Sequence, residues 1–264
     1  MFKPKTEKIK QIHDNDLNKN IIKKVESLFH GKTNVYIDFA NVRPWSDKLK
    51  WHVSPQRLKQ FLDSFDNINS VKFYQGELIG NDFSKNEIKE LKECKYDVRT
   101  KPVKIMKLSI NASSVSSQSP NLLSKFIRKS LLRKYDIETV EYLNGKFTAM
   151  NQNGIFEIED RKCNFDVEIA TDMRVDHIKN DIDTFVLWSG DSDFADTIKT
   201  LLKDKKSVLL FATAGRVASE LSELVSKGLF IFDIRDLRDF ICWRKEIKLS
   251  PKSTKDPNKG ASQL

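Results

Sequence analysis

Three cysteines, nine glycines and seven prolines are all that 264 residues hold of the types that build disulfide scaffolds, collagen or low-complexity linkers. Cys94, Cys163 and Cys242 are odd in number and 69 and 79 residues apart, a spacing that suits neither a zinc site nor a disulfide framework. No run approaches the ~18 apolar residues of a membrane span, and the opening MFKPKTEKIKQIHDNDLNK lacks the apolar centre of a signal peptide. A reducing, cytoplasmic setting away from any membrane is the expectation. No internal repeat stands out.

What is present is an ordinary globular balance, 39% hydrophobic and 31% charged, long enough to bury a full core as one large α/β domain or two small ones. The 46 basic residues exceed the 37 acidic ones by nine, which favours a polyanionic partner.

Apolar, β-branched runs alternate with segments of helical periodicity. Leu17, Ile21, Ile22, Val25, Leu28 and Phe29 share a helical face within an N-terminal extension read as residues 1–33. NVYIDFANV predicts a buried strand ending at Asp38, and Ser54 with Pro55 predicts a capped helix start. SVKFYQGEL, YDVRTKPVKIMKL, DTFVLWSG, SVLLFAT and LFIFDI are further expected strands, with helices between them. Strands apolar on both faces and separated by helices imply a three-layer α/β/α fold with a mainly parallel central sheet. The domain is expected to span 34–249, with a helical insertion at about 108–160 built from a Ser/Asn-rich loop and two helices. The Lys/Pro/Gly-rich segment 250–264 is expected to be a disordered tail.

In open α/β sheets ligands bind at the carboxyl ends of strands, where strand order reverses. One apolar strand here ends in Asp38, followed by Asn41; another ends in Asp191 and Asp193 after Ser189-Gly190. Asp166 heads a helix whose Ile169, Ala170 and Met173 lie on its side, so its carboxylate needs a partner, either a divalent cation or a Lys or Arg. Asp172 projects about 120° away on ideal helix geometry and is the weaker candidate. Carboxylates drawn from separate segments suit Mg²⁺ or Mn²⁺, which can activate water and stabilise a leaving oxygen. Asn41 could be a neutral ligand or orient water, and Ser189 could bond a carboxylate or a phosphate. Taken alone, Asp191 and Asp193 read as helix caps and Asp38 as a turn residue; their joint occurrence at segment ends is what favours a site.

YIDFANV, FDVEIATDM and FVLWSGDSDFADTIKTLLKDKKSVLLFAT resemble the NYN family of the PIN-like superfamily. Its pattern is a strand ending in Asp with Asn three residues on, then Asp-Val and a second Asp, then Ser-Gly-Asp-x-Asp-Phe. Asp38/Asn41, Asp166/Asp172 and Ser189/Gly190/Asp191/Asp193/Phe194 match it over about 34–104 and 161–242. The resemblance implies metal-dependent RNA cleavage, with Asp38, Asp166, Asp191 and Asp193 holding Mg²⁺ or Mn²⁺, and it raises Asp172 as a ligand. The family's usual Lys-Gly ahead of the second motif is absent, and the 108–160 segment lies outside the pattern.

From Arg99 to Tyr135 there are nine basic residues and no acid: Arg99, Lys101, Lys104, Lys107, Lys125, Arg128, Lys129, Arg133 and Lys134. Lys125, Arg128, Lys129 and Arg133 would share one face of a helix, with Leu123, Phe126, Ile127, Leu131 and Leu132 opposite. That face either grips RNA phosphates or is simply solvated. Trp45 and Trp51 could stack on unpaired bases but read first as packing anchors. The expectation is therefore a metal-dependent nuclease, a ribonuclease acting on single-stranded or structured RNA. A non-catalytic RNA-binding module is the alternative and an Asp-based phosphatase a distant third. The insertion could equally mediate a homodimer.

Overall fold

The computed structural model describes residues 1–213 and 215–242, so the expected domain end at 249 and the tail 250–264 lie outside the described residues. The strands are β1 (Thr33–Asp38), β2 (Ile68–Glu77), β3 (Asp97–Pro102), β4 (Lys104–Ser109), β5 (Glu157–Lys162), β6 (Thr184–Trp188), β7 (Ser207–Ala212) and β8 (Phe230–Asp233). The helices of seven residues or more are α1 (Glu7–His13), α2 (Asp16–Leu28), α3 (Pro55–Leu62), α4 (Asp82–Glu93), α5 (Ile137–Gln152), α6 (Asp166–Lys179) and α7 (Ala195–Lys203). Helix starts follow local chemistry: Ser54 caps α3 with Pro55 at its first position, Asn81 caps α4 and Asp136 caps α5.

Six strands form one parallel sheet in the order β3-β2-β1-β6-β7-β8. Every residue of β1 and β6 is buried, as central strands covered on both faces require. From β1 the chain steps outward through α3 and α4 to β2 and β3; from β6 it steps the other way through α7 to β7. Right-handed crossovers running in opposite directions place the two helix sets on opposite faces, giving the three-layer α/β/α fold. Strand order therefore reverses between β1 and β6. Their parallel register pairs Ile37 with Trp188, which sets Asp38 beside Ser189. Ile9, Ile22, Val25 and Phe29 of the N-terminal segment pack into the same core as the sheet.

Two expectations fail around the insertion. The third strand is not continuous: β3 joins the parallel sheet and stops at Pro102, which has no N–H to offer a ladder. After Val103 the chain leaves as β4 and pairs antiparallel with β5, making a separate two-stranded ribbon. The ribbon and the helix between its strands span 104–162. The expected helix over 122–135 is also broken, into a turn at Leu123–Lys125 and another at Lys129–Leu132, with Arg128 extended between them (φ −56°, ψ 136°). Leu123 and Leu132 are nine positions apart and would face opposite ways on one helix of ~100° per residue. The break lets both pack with Val140 of α5 in a small second core. The basic face over Lys125, Arg128, Lys129 and Arg133 is consequently not formed.

Candidate metal centre at the sheet's switch point

Carboxylates converge at the reversal between β1 and β6. Oxygens of Asp166, Asp191 and Asp193 all lie within 4.8 Å of one another, with Asp166 and Asp191 half-buried and Asp193 exposed. The turn after β6 is built by its own polar groups. Asp191 donates its N–H to Ser189 Oγ (3.3 Å), and Asp191 Oδ1 accepts the N–H of Asp193 (3.2 Å). The capping role expected of Asp191 is thus real and coexists with its place in the cluster. Gly190 is obligatory there, because a Cβ would lie 1.7 Å from the carbonyl oxygen of Arg216.

Asp38 stands just behind. It is 4% exposed; its Oδ2 accepts the Ser189 hydroxyl (3.1 Å) and its Oδ1 the N–H of Asn41 (3.3 Å). Burial pushes its pKa up to about 6; those two hydrogen bonds lower it, and the charges of Asp166 and Asp191 add to the rise. Asn41 Oδ1 accepts the N–H of Gly190 (3.2 Å), so this side chain ties the end of β1 to the β6 turn. Ser189 is fully buried and serves a carboxylate.

Asp166 heads α6, its N–H donating to Asn164 Oδ1 (2.9 Å). Burial raises its pKa, Asn164 lowers it, and Asp191 and Asp193 raise it further. Its Oδ2 is shielded from solvent without a hydrogen-bond partner among the described residues. An orphaned buried carboxylate oxygen among like charges is costly unless a cation joins it. Oxygens around one octahedral Mg²⁺ are about 3–4 Å apart, and this donor set, within 4.8 Å, is compatible with a divalent ion.

Asp172 lies outside the cluster. Its Oδ2 accepts the Tyr74 hydroxyl (2.7 Å) and sits 3.6 Å from Arg99 Nε and 3.8 Å from Lys72 Nζ. One turn on, buried Asp176 accepts from Lys72 (2.8 Å), Asn34 (2.7 Å), Tyr36 (2.5 Å) and Asn180 (2.8 Å). Burial alone would raise the Asp176 pKa, but these bonds outweigh it and hold the group below the usual carboxylate range. This network, which sequence patterning did not bring out, clamps α6 across β1 and β2 and so aims Asp166. Its signal was there: polar Asn34, Tyr36 and Asp38, and Lys72 with Tyr74, alternate along one face of otherwise apolar strands.

The acid-free basic run is not free of acids in space. Lys101 pairs with Glu168 (2.6 Å), Arg99 with Asp97 (3.1 Å) and Lys107 with Glu157 (3.4 Å). Lys125 donates to the carbonyl of Ser109 (3.1 Å). Lys104, Arg128, Lys129, Arg133 and Lys134 are exposed cations without an ion pair among the described residues. Trp45 is buried and offers no stacking face, and Trp51 is partly buried against the core. A cleft of about 1150 Å³ opens beside Phe39, Val42 and Arg43, but no clustered aspartate lines it.

A parallel α/β/α sheet that gathers carboxylates at its switch point is the architecture of the PIN-like and NYN class of domains. The family model of the NYN domain matches residues 109–232. That match includes Asp166, Asp191 and Asp193, starts within the insertion, and does not reach Asp38. The low amplitude and bright protein LabA of Synechococcus elongatus is 32% identical over 81 residues, covering 31% of this chain and 41% of that one. The chain thus aligns with about two fifths of the curated relative's length. A crystal structure of a protein of unknown function from Vibrio parahaemolyticus aligns over 80% of this chain and 96% of its own, with TM-score 0.47 and 15% identity. No described helix is long and apolar enough to cross a membrane, and all three cysteines are free thiols.

Proposed function

We propose that the protein is a divalent-metal-dependent nuclease that cleaves RNA at the Asp166/Asp191/Asp193 cluster. The observation that carries this is the convergence of those three carboxylates, one with a buried, unpartnered oxygen, at the switch point of an NYN-containing fold. Asp166, Asp191 and Asp193 would hold Mg²⁺ or Mn²⁺. When bound, such an ion supplies water activation and charge stabilisation at a phosphodiester. Asp38 accepts the Asn41 N–H and the Ser189 hydroxyl, and in the metal-free protein burial raises its carboxyl pKa to about 6. A group poised there can accept a proton at neutral pH. Asn41 and Ser189 position it. The exposed cations of the 104–134 stretch would supply contacts to flanking phosphates.

The test is incubation of purified protein with RNA and DNA, with Mn²⁺ and with EDTA. Cleavage of RNA that needs Mn²⁺ and disappears in Asp191→Asn, with unchanged thermal stability, is expected. RNA binding without cleavage, unaltered by Asp191→Asn, would instead establish the non-catalytic binding module.

A further inference from the structure

Two cations outside the basic run, Lys48 and Arg216, belong to segments that pack around the turn after β6. The loop after β7 is pressed onto the β6 turn: the Arg216 carbonyl abuts Gly190, and the Ala218 N–H donates to the Gly190 carbonyl (3.0 Å). Gly190 lies between Ser189 and Asp191, so this loop borders the cluster directly. Lys48, in the short helical turn Ser46–Leu49 that follows Asp38, reaches over the same loop. A Cβ on Gly215 would lie 2.1 Å from Lys48 Nζ, which places the lysine ammonium on this loop, and the φ of +72° at Gly215 favours glycine there. Lys48 and Arg216 are both exposed, and neither side chain has a hydrogen bond or ion pair among the described residues. On the other side of the cluster the nearest basic groups are engaged, Lys101 by Glu168 and Arg99 by Asp97 and Asp172.

We propose that Lys48 and Arg216 form a phosphate-binding lip that grips the backbone of single-stranded RNA as it crosses the carboxylate cluster. The proposal rests on the nuclease reading for the kind of ligand and adds where that ligand is held. A phosphodiester approaching three carboxylates meets a repulsion that the neutralised cations on the far side do little to offset. Two unpaired cations on this side lower the electrostatic barrier and orient the chain. Paired lysines and arginines release fewer counterions on binding, because their charge is already partly neutralised, so the free pair should dominate the local salt dependence.

The experiment is binding of a labelled, unstructured RNA in EDTA over a series of salt concentrations, followed by anisotropy. Removing one cation that neutralises a single-strand phosphate lowers the slope of log affinity against log salt by about 0.7. The Lys48→Ser, Arg216→Ser double variant should therefore show a slope smaller by about 1.4, and the Lys48→Arg, Arg216→Lys variant should retain the wild-type slope. Arg99→Ser with Lys101→Ser should change it less than half as much. An unchanged slope in the Lys48/Arg216 serine variant, at unchanged thermal midpoint, overturns the lip. The full slope change alongside no Mn²⁺-dependent cleavage by the wild type leaves the lip standing and removes the nuclease reading. Cleavage by the wild type with no slope change does the reverse, and no RNA binding by the wild type overturns both.

Discussion

Asp166 and Asp176 sit on the same helix, ten residues apart, and live in opposite electrostatic worlds. Asp176 is 2% exposed and has both oxygens occupied by Lys72, Asn34, Tyr36 and Asn180, with its pKa held low. Asp166 is half-buried, has one oxygen with no partner among the described residues, and faces two more carboxylates that push its pKa up. The first is a completed structural group. The second is an incomplete one, held in place by the first. Burying a carboxylate is tolerable when protein donors satisfy it, and one left unsatisfied among like charges is a candidate place for a cation. The helix thus has a fixed end and a working end.

The largest effect expected from breaking this contrast is at Lys72. Replacing it by Met leaves Asp176 charged, buried and short of its cation, which should cost about 3–5 kcal/mol in denaturant unfolding. Asp166→Asn, which removes a repelling charge, should leave metal-free stability unchanged or slightly raised. Comparable destabilisation in both variants would erase the distinction drawn between the two ends.

A smaller effect has a pH signature of the opposite sign at each end. The folded pKa of Asp176 lies below its unfolded value, so its contribution is present at neutral pH and lost as pH falls through the folded pKa. Asp38 is raised to about 6, so its contribution is complete below the unfolded value near 4 and is lost as pH rises to about 6. In EDTA, wild-type stability relative to Asp38→Asn should therefore fall by on the order of 2 kcal/mol between those pH values. A flat difference would show that burial does not perturb Asp38.

Much of this was legible in the sequence because it is local. Apolar β-branched runs identify β1, β6 and β7; Ser54-Pro55 marks the start of α3; and acids at the ends of the first and sixth strands fall at the switch point once the sheet is parallel. What escaped depends on pairing across the chain. Pro102 ends β3, yet only the partner β5 reveals that the following residues form a ribbon, and that Glu157 neutralises Lys107. The basic helix over 122–135 satisfied helical spacing, but Leu123 and Leu132 answer to α5, which a one-dimensional pattern does not represent. The approach of Lys48 Nζ to Gly215 and of the Arg216 carbonyl to Gly190 leaves no trace in spacing. Asp172 matched the family pattern, and in the fold it faces Tyr74, Arg99 and Lys72.

The central claim is that the head of α6 is a cation site. Its most direct test is calorimetric titration of Mn²⁺ into the RNA-free protein at pH 7, for wild type, Asp166→Asn and Asp172→Asn. Saturable binding in the wild type, weakened tenfold or more by Asp166→Asn and little by Asp172→Asn, is the predicted result. Equal binding in wild type and Asp166→Asn, or no binding at all, would contradict it.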